Sequence, residues 1–179
     1  TLFRSGARAR QIRDDLRMRS HFAPNDMLAI QLDDRAIFLE RWKDLLVLEL
    51  DRTTASPLNA AMKRTLAGWT DHASIDSVAY RLVRAWRNEV INTVLDAFAA
   101  KVRAKFAHFA LPKLLQAEQA VWKLISERPM HLLPPGYGDW DALLIASAER
   151  AGKNLDAQPG GLAARTWGEH NTTRIAHPL

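Results

Sequence analysis

The chain has 179 residues, of which 47% are hydrophobic and 25% charged, and its formal net charge is +5. This composition is typical of a folded globular protein, and the length suits one substantial domain. The absence of cysteine excludes disulfides, thiolate metal ligands and a cysteine nucleophile. No apolar run approaches the ~20 residues that a membrane-spanning helix needs, so we expect no membrane partner.

The hydrophobic pattern predicts about six helices, beginning with one over Ser5 to Met18 that has an apolar and a basic face. The next helix runs from Pro24 to about Leu50. Its apolar residues are spread too widely for a helix with one buried side, which predicts a central helix with neighbours on several sides. These apolar residues are Leu28, Ile30, Leu32, Ile37, Leu39, Leu45 and Leu46.

Two adjacent carboxylates, Asp33 and Asp34, interrupt the apolar surface of this predicted helix. A carboxylate near a core needs a basic or hydrogen-bonding partner. We therefore expect Asp33 to be partly buried and paired with an arginine, with Arg10 and Arg13 as the first candidates. Neighbouring helical residues point about 100° apart, so the two aspartates are not expected to share one site.

The remaining predicted helices share a serine, proline or aspartate at the N-terminal end, where such residues are favoured. They are a short helix from Pro57 with Ser56 as N-cap and Gly68 at its end, a long helix capped by Ser74 and reaching about Phe109, a helix that begins at Pro112 and ends before Pro129, and a helix over Trp140 to Arg150 with Asp139 as N-cap and Gly152 at its end.

The C-terminal residues differ in composition from the helices. Leu162 to Trp167 and Thr172 to Ile175 are predicted to be extended. The sequence thus predicts a mainly α fold, with a helical domain over 1–157 and a short extended or β tail over 158–179. Since nothing else in the chain supplies a sheet, we expect this tail to be poorly ordered, to pair only with itself, or to borrow a strand edge from a second copy.

Motifs that carry chemistry are scarce. The sequence has no glycine-rich phosphate loop, no G-x-S-x-G and no H-E-x-x-H. The histidines do not pair at metal-ligand spacing, and the tryptophans lie mostly on apolar faces, where core packing is favoured over base stacking. We therefore identify no catalytic, cofactor-binding or metal-binding residue. The histidines are His21, His72, His108, His131, His170 and His177.

A positive chain invites a nucleic-acid partner. The arginines are nevertheless spread along every predicted helix and interleaved with acids, as in Arg13-Asp14-Asp15. We expect a solvated mixed-charge surface and no nucleic acid, and we keep a basic helical module that binds protein or nucleic acid as the alternative.

Three blocks of the sequence resemble the penicillin acylase family. Arg10 to Asp33 is similar to the block "RI…L … DM..IQ.D" of its β-subunits. Ala73 to Arg84 resembles the segment "S.DS..Y.LVR" of bacterial members, and Thr166 to Leu179 is similar to "WG..N...I.HPL". Each block is short, and their occurrence in the family's order makes the resemblance specific.

The resemblance implies an N-terminal-nucleophile hydrolase, which acts on carbon–nitrogen bonds of linear amides. In this family a precursor cleaves itself, and the new N-terminal serine of the β-subunit attacks an amide with its own α-amino group as base. Backbone N–H groups and an asparagine stabilise the oxyanion. Members hydrolyse penicillins, acyl-homoserine lactones or other N-acyl compounds. Many are exported, which implies a periplasmic or secreted enzyme, and the family often holds a structural calcium whose ligands are not identifiable here.

The family's nucleophilic serine and oxyanion asparagine lie upstream of the first block, so no catalytic residue transfers onto this sequence. Thr1 resembles a threonine nucleophile, but the resemblance places it inside the β-subunit. We therefore expect a catalytically silent helical segment of a larger αββα hydrolase. Its expected partners are the rest of the β-subunit, the α-subunit and, for the whole enzyme, a small N-acyl substrate. A homodimer of the segment is a further alternative.

Overall fold

The computed structural model describes residues 6–111 and 117–173, apart from the side chain of Lys101. These residues form helices and two short 3-10 turns, and they contain no strand, which confirms the mainly α prediction. The turns are Met130–Leu132 and Leu162–Ala164. The helices are α1 (Gly6–Arg17), α2 (Pro24–Leu32), α3 (Ile37–Asp51), α4 (Pro57–Ala67), α5 (Val78–Arg103), α6 (Ala117–Glu127), α7 (Trp140–Asp156) and α8 (Trp167–Asn171).

The core lies where α3, α4 and α7 pack against the long helix α5. Trp42 of α3, Trp86 of α5 and Trp140 of α7 are fully buried. The ring of Trp42 meets that of Trp86 edge to face at 5.6 Å. A buried indole N–H needs an acceptor, and Trp86 donates to the carbonyl of Leu144 at 3.1 Å. The prediction that tryptophans pack in the core is confirmed.

The predicted single central helix is wrong, because α2 ends at Leu32 and α3 begins at Ile37. Residues 33–36 leave the helix to pair with the loop before α5. The backbone N–H of Ala36 donates to the carbonyl of Asp71 at 2.6 Å, and that of Ala73 donates to the carbonyl of Asp34 at 2.8 Å. This long-range pairing replaces the helical hydrogen bonds that a continuous helix would make.

The break changes which apolar residues of the predicted central helix lie in the core. Leu39 and Leu46 of α3 are fully buried, as expected for a central helix. Leu28 and Leu32 of α2 are instead 50% and 71% exposed. Only α3 therefore occupies the predicted central position.

Asp33 lies at the end of α2, and its side chain is only 9% exposed. Arg35 donates to its two oxygens at 2.8 Å from Nε and 2.7 Å from Nη2, and the amide of Gln11 donates as well. Arg8 lies 3.7 Å away. The hydrogen bonds from Arg35 hold the pKa of Asp33 well below its usual range, although burial opposes them. A partly buried, arginine-paired Asp33 is thus confirmed.

The candidate partners Arg10 and Arg13 are wrong, because both lie beside Asp14 on the surface of α1. Arg8 is the first-helix arginine that reaches α2. It donates to the carbonyls of Ile30 and Asp33, at the last turn of α2. A cation at that position satisfies carbonyls that have no helical partner and favours the helix dipole.

The start of α5 also differs from the prediction. Ser77, and not Ser74, is its N-cap and accepts from the N–H of Tyr80 at 3.1 Å. Ile75, which lies between the two serines, binds the C-terminal segment instead. Its carbonyl accepts from the N–H of Gly168 at 2.6 Å. At its other end α5 stops at Arg103, before the predicted Phe109.

The extended form predicted for Leu162 to Trp167 is wrong, because these residues form the second 3-10 turn and the start of α8 and dock on α5, whereas Thr172 is extended as predicted. Arg81, whose side chain is 9% exposed, donates to the carbonyl of Thr166 at 3.1 Å and pairs with Glu169. Trp167 packs edge to face on Tyr80 at 4.9 Å. Helix-to-helix contacts therefore replace the missing sheet. Arg174 to Leu179, with the end of the second predicted strand, lie outside the described residues, as do Thr1 and Pro112.

The predicted ends of α4 at Ser56 and Gly68 and the predicted start of α7 at Asp139 are confirmed, whereas the predicted end of α7 is wrong. Ser56 caps α4 by accepting from the N–H of Asn59, and Asp139 caps α7 by accepting from that of Ala142. Gly152 does not end α7, which continues to Asp156. A Cβ at Gly152 would lie 2.7 Å from Sδ of Met62, so this glycine permits the close approach of α4 to α7.

Gly152→Ala should destabilise the chain by a net ~1–2 kcal/mol, because overpacking against Met62 outweighs the better helix propensity of alanine. Urea unfolding measures the change. Gly138→Ala is the matched control, since nothing lies within 4 Å of its added Cβ. A stabilising Gly152→Ala would contradict the close-approach explanation.

Asp33→Ala should lower the free energy of unfolding by about 1–3 kcal/mol, because Arg35 and Gln11 lose a charged acceptor. The loss should fall short of a fully buried pair, since the side chains of Arg8 and Arg35 are 41% and 43% exposed and can turn to water. Asp33→Asn should lose less, since it keeps an oxygen acceptor.

Denaturant titration at pH 7 tests the Asp33 variants, with Asp44→Ala as the control. Asp44 is 63% exposed and pairs only with the adjacent Lys43 among the described residues, so its removal should change stability by less than about 0.5 kcal/mol. Equal losses for Asp33→Ala and Asp44→Ala would show that the α2–α3 junction does not depend on Asp33.

Candidate functional site

A groove of about 760 Å³ lies between α1, α3 and α6. It combines apolar side chains of α3 with charged and amide side chains of all three helices. Glu118, in the first turn of α6, lines it together with Gly6, Ala7, Arg10, Gln11, Asp14, Ile37, Phe38, Glu40, Arg41 and Gln119.

Glu118 is the best-connected carboxylate of this groove, and its side chain is 15% exposed. The indole N–H of Trp42 donates to Oε1 at 2.8 Å, and Arg41 donates to the same oxygen at 3.2 Å. Arg87 donates to Oε2 at 2.5 Å. This one carboxylate therefore joins α3, α5 and α6.

The two arginines are themselves held by aromatic rings. The guanidinium of Arg41 lies over Trp122 at 4.3 Å from the ring centroid, and that of Arg87 lies 6.0 Å from the centroid of Phe38. Trp122 in turn packs against Trp42 at 5.0 Å. Stacking of this kind favours arginine over lysine and fixes the donors that face Glu118.

Burial raises the pKa of Glu118, but the hydrogen bonds from Arg87, Trp42 and Arg41 outweigh burial and leave this pKa below its usual value. A general acid or base works best with a pKa near the operating pH. An ionised carboxylate that already accepts from three donors does not meet that requirement. We interpret the Glu118 cluster as a structural ion network.

A second network surrounds Glu49 of α3, which is fully buried. Its Oε1 accepts from Arg128 at 3.1 Å, and Arg52 lies 3.4 Å away. Asp141 of α7 completes the network at 2.6 Å from Arg128. Burial and the charge of Asp141 raise the pKa of Glu49, against the opposing effect of the two arginines. Arg128 has a φ of 54°, a left-handed conformation that directs the chain from α6 towards α7.

Asp33 and Asp34 pair with different residues, but the helical geometry from which their separation was predicted does not apply, because both lie between α2 and α3 and line the same groove between the end of α1 and α2. Asp34 instead meets Nδ1 of His72 at 2.5 Å, with both side chains 46% exposed. A histidine beside a carboxylate provides two of the three members of a catalytic triad. No serine or threonine hydroxyl of the described residues is hydrogen-bonded to His72, so the pair has no nucleophile there.

Metal binding finds no support in the described part of the chain. Nowhere in residues 6–111 and 117–173 do three or more histidine, aspartate or glutamate side chains gather in a way that could hold a metal ion. Within the same ranges, no helix has the length and apolar character needed to cross a membrane.

Sequence reasoning did not identify the two ion networks. Glu118 appears in the sequence as an ordinary acid in a first helical turn, where acids are common. Glu49 carried a usable signal, since it stands at helical spacing among Leu45, Leu46 and Leu50 on an otherwise buried face. A carboxylate in that position predicts a buried partner, although spacing cannot say which one.

Glu118→Gln should lower the free energy of unfolding at pH 7 by about 2–3 kcal/mol, because it leaves Arg87 largely buried without its counter-charge. The pKa of Glu118 is lowered in the folded chain, so its stabilisation is present above the unfolded value of about 4.3 and is lost as the pH falls further. The difference between wild type and Glu118→Gln should therefore shrink below about pH 4.

Urea titrations between pH 3 and pH 7 measure this difference. Glu127→Gln on the same helix is the control, because Glu127 is 62% exposed and lies 3.8 Å from Lys123. A Glu118→Gln variant as stable as Glu127→Gln at pH 7 would contradict the network interpretation.

Comparison with known proteins identifies one family that the chain matches. A family profile described as penicillin amidase matches residues 1–179, which is every residue of the sequence. No curated protein matches the chain at a significant level. The profile spans all three sequence blocks and every described helix. The chain belongs to the penicillin amidase family, whose members are hydrolases that act on amides.

Proposed function

We propose that the chain is a helical segment of a larger amidohydrolase that cleaves linear amide bonds of N-acyl compounds, such as penicillins or acyl-homoserine lactones. The segment itself is catalytically silent. The observation that carries the proposal is the family match over residues 1–179. It is supported by the lack of a nucleophile hydrogen-bonded to a base among the described side chains.

The segment's role in this proposal is structural. Two carboxylates of low exposure, Glu118 and Glu49, are paired with arginines of the same chain. The resemblance puts the nucleophilic serine and the oxyanion asparagine upstream of Arg10. The catalytic part of the β-subunit and the α-subunit would then be the partners of this helical body, and the enzyme would be periplasmic or secreted.

A basic nucleic-acid-binding module is the alternative, and the charge pairing favours it less. Arg41, Arg87 and Arg150 each lie within 3.2 Å of a glutamate oxygen. Arginines neutralised in this way do not form a free basic stripe for phosphates. A nucleic-acid complex would reveal itself by an affinity that falls steeply with salt.

The purified 179-residue chain should hydrolyse none of three substrate types: a phenylacetyl amide, a penicillin and a long-chain acyl-homoserine lactone. The reason is that no group of the family's catalytic kind transfers onto its residues. Release of amine or acid above the buffer rate is the measurement. Turnover that disappears when the α-amino group of Thr1 is acetylated would contradict the proposal and make Thr1 a nucleophile.

The gene that encodes the chain supplies the positive test. Its reading frame should contain an upstream serine at which the precursor cleaves itself, and the product should hydrolyse at least one of these amides. Replacement of that serine by alanine should abolish both cleavage and activity. A reading frame without such a serine would refute the proposed parent enzyme.

A further inference from the structure

Glu49 is the only fully buried acidic residue in the described part of the chain, and its two carboxyl oxygens have different surroundings. Oε1 accepts from Arg128 at 3.1 Å and from Arg52 at 3.4 Å. Oε2 is also buried and has no hydrogen-bond partner among the described residues. An ionised Glu49 would therefore hold part of its negative charge in the core without a donor, which is unfavourable.

The carboxyl group of Asp141 lies beside that of Glu49 and is bound by the same two arginines. Nη1 of Arg128 lies 2.6 Å from Oδ1 of Asp141, while its Nη2 binds Glu49. Nη1 of Arg52 lies 3.0 Å from the same Asp141 oxygen and also contacts Glu49. The two guanidinium groups thus hold both carboxyl groups at one site. Two carboxyl groups at one site do not readily ionise together, and one of them keeps its proton.

Burial determines which of the two carboxyl groups holds the proton. The side chain of Asp141 is 37% exposed, so water stabilises its negative charge, whereas Glu49 is fully buried. Burial is the largest of the effects that raise the pKa of Glu49, and the charge of Asp141 adds to it against the two arginines. A hydrogen bond between the two carboxyl groups raises this pKa further, with the proton on Glu49 and Asp141 as the acceptor.

The charged groups that contact Glu49 come from three elements of the described fold. Arg52 follows α3, Arg128 follows α6, and Asp141 lies in the first turn of α7. Helices α4 and α5 also pack on α3, but their described residues contribute no ion-pair partner to Glu49. With a neutral Glu49 this set holds two positive charges and one negative charge. The side chains of Arg52 and Arg128 are 45% and 35% exposed, so water stabilises the excess positive charge.

Glu118 shows that paired arginines lower a carboxyl pKa when both oxygens have donors. Its Oε1 accepts from Trp42 and Arg41, and its Oε2 accepts from Arg87. These hydrogen bonds outweigh burial and lower the pKa of Glu118. Glu49 also has two arginines, but it lacks a donor at Oε2 and has a second carboxyl group beside it. We therefore expect the two glutamates to respond to pH in opposite directions.

We propose that Glu49 is a neutral carboxylic acid that donates its proton to Asp141, and that this carboxyl pair makes the contact between α3 and α7 sensitive to pH. Loss of the proton places two carboxylates against each other and leaves an ionised oxygen in the core without a donor. The folded pKa of Glu49 lies above the unfolded value of about 4.3, so the pair stabilises the fold fully below about pH 4.3. This stabilisation is lost as the pH rises through the folded pKa.

Urea titrations of wild type and Glu49→Gln between about pH 4 and pH 8 test the carboxyl pair. Glutamine has nearly the shape of a protonated glutamate and cannot lose a proton. Over this range the folding equilibrium constant of wild type should therefore fall by a factor of about ten or more relative to that of Glu49→Gln. Glu118→Gln is the matched control, because wild type should gain stability relative to it as the pH rises.

A second measurement follows the Glu49 carboxyl group directly and does not depend on the folding of Glu49→Gln. The carbon-13 resonance of this carboxyl group in the wild-type chain should be that of a protonated acid at about pH 5.5, where exposed glutamates are ionised. In Asp141→Asn the proton should be lost at a lower pH, because the neighbouring negative charge is absent.

Three results would overturn the proposal. The first is a Glu49 carboxyl group that is already ionised at about pH 5.5. The second is a Glu49→Gln variant that loses stability relative to wild type as the pH rises, as expected for Glu118→Gln. The third is titration of Glu49 at the same pH in wild type and in Asp141→Asn, which would show that Asp141 does not share its proton.

Discussion

The buried indole N–H of Trp42 needs a hydrogen-bond acceptor inside the fold, and the packing of α3, α5 and α6 depends on that acceptor. Glu118 accepts from it at 2.8 Å, but a carboxylate taken out of water needs positive charge close by. Arg41 and Arg87 supply that charge, and Trp122 and Phe38 hold the two guanidinium groups. The positions of α3, α5 and α6 therefore depend on one another, because each helix supplies a hydrogen-bond or charge partner that the others need. Removing any member leaves a polar or charged group without its partner.

The same principle explains why many arginines of the described residues lie beside a carboxylate. At Glu49 and at Asp33 a carboxylate of low exposure is served by two arginines, and one residue of each set comes from a distant part of the sequence. Arginine suits this use because its planar guanidinium can bind a carboxylate and stack on a ring at the same time. The arginines of these three clusters therefore serve the fold.

The α1–α2 hairpin is the exception, because its apolar residues contribute nothing fully buried. Its position follows from the break at residues 33–36, where the backbone turns away to pair with the loop at Asp71 to Ala73. Had the helix continued, Leu28 and Leu32 would have extended the stripe of Leu39 and Leu46. The break instead places them on the outside of the fold, where both are largely exposed.

The sequence by itself determined the helical class, the caps at Ser56 and Asp139, and the family, because these depend on local spacing and on short blocks of residues. It also predicted that Asp33 must find an arginine, since burial of a carboxylate has that consequence in any fold. Tertiary structure alone decided that the partners are Arg8 and Arg35. It also ended α2 at Leu32, and it gave the C-terminal residues a helical form by docking Trp167 on Tyr80. The reason is that long-range hydrogen bonds and aromatic contacts outweigh local propensity, and a linear pattern contains no information about which distant residue will supply them.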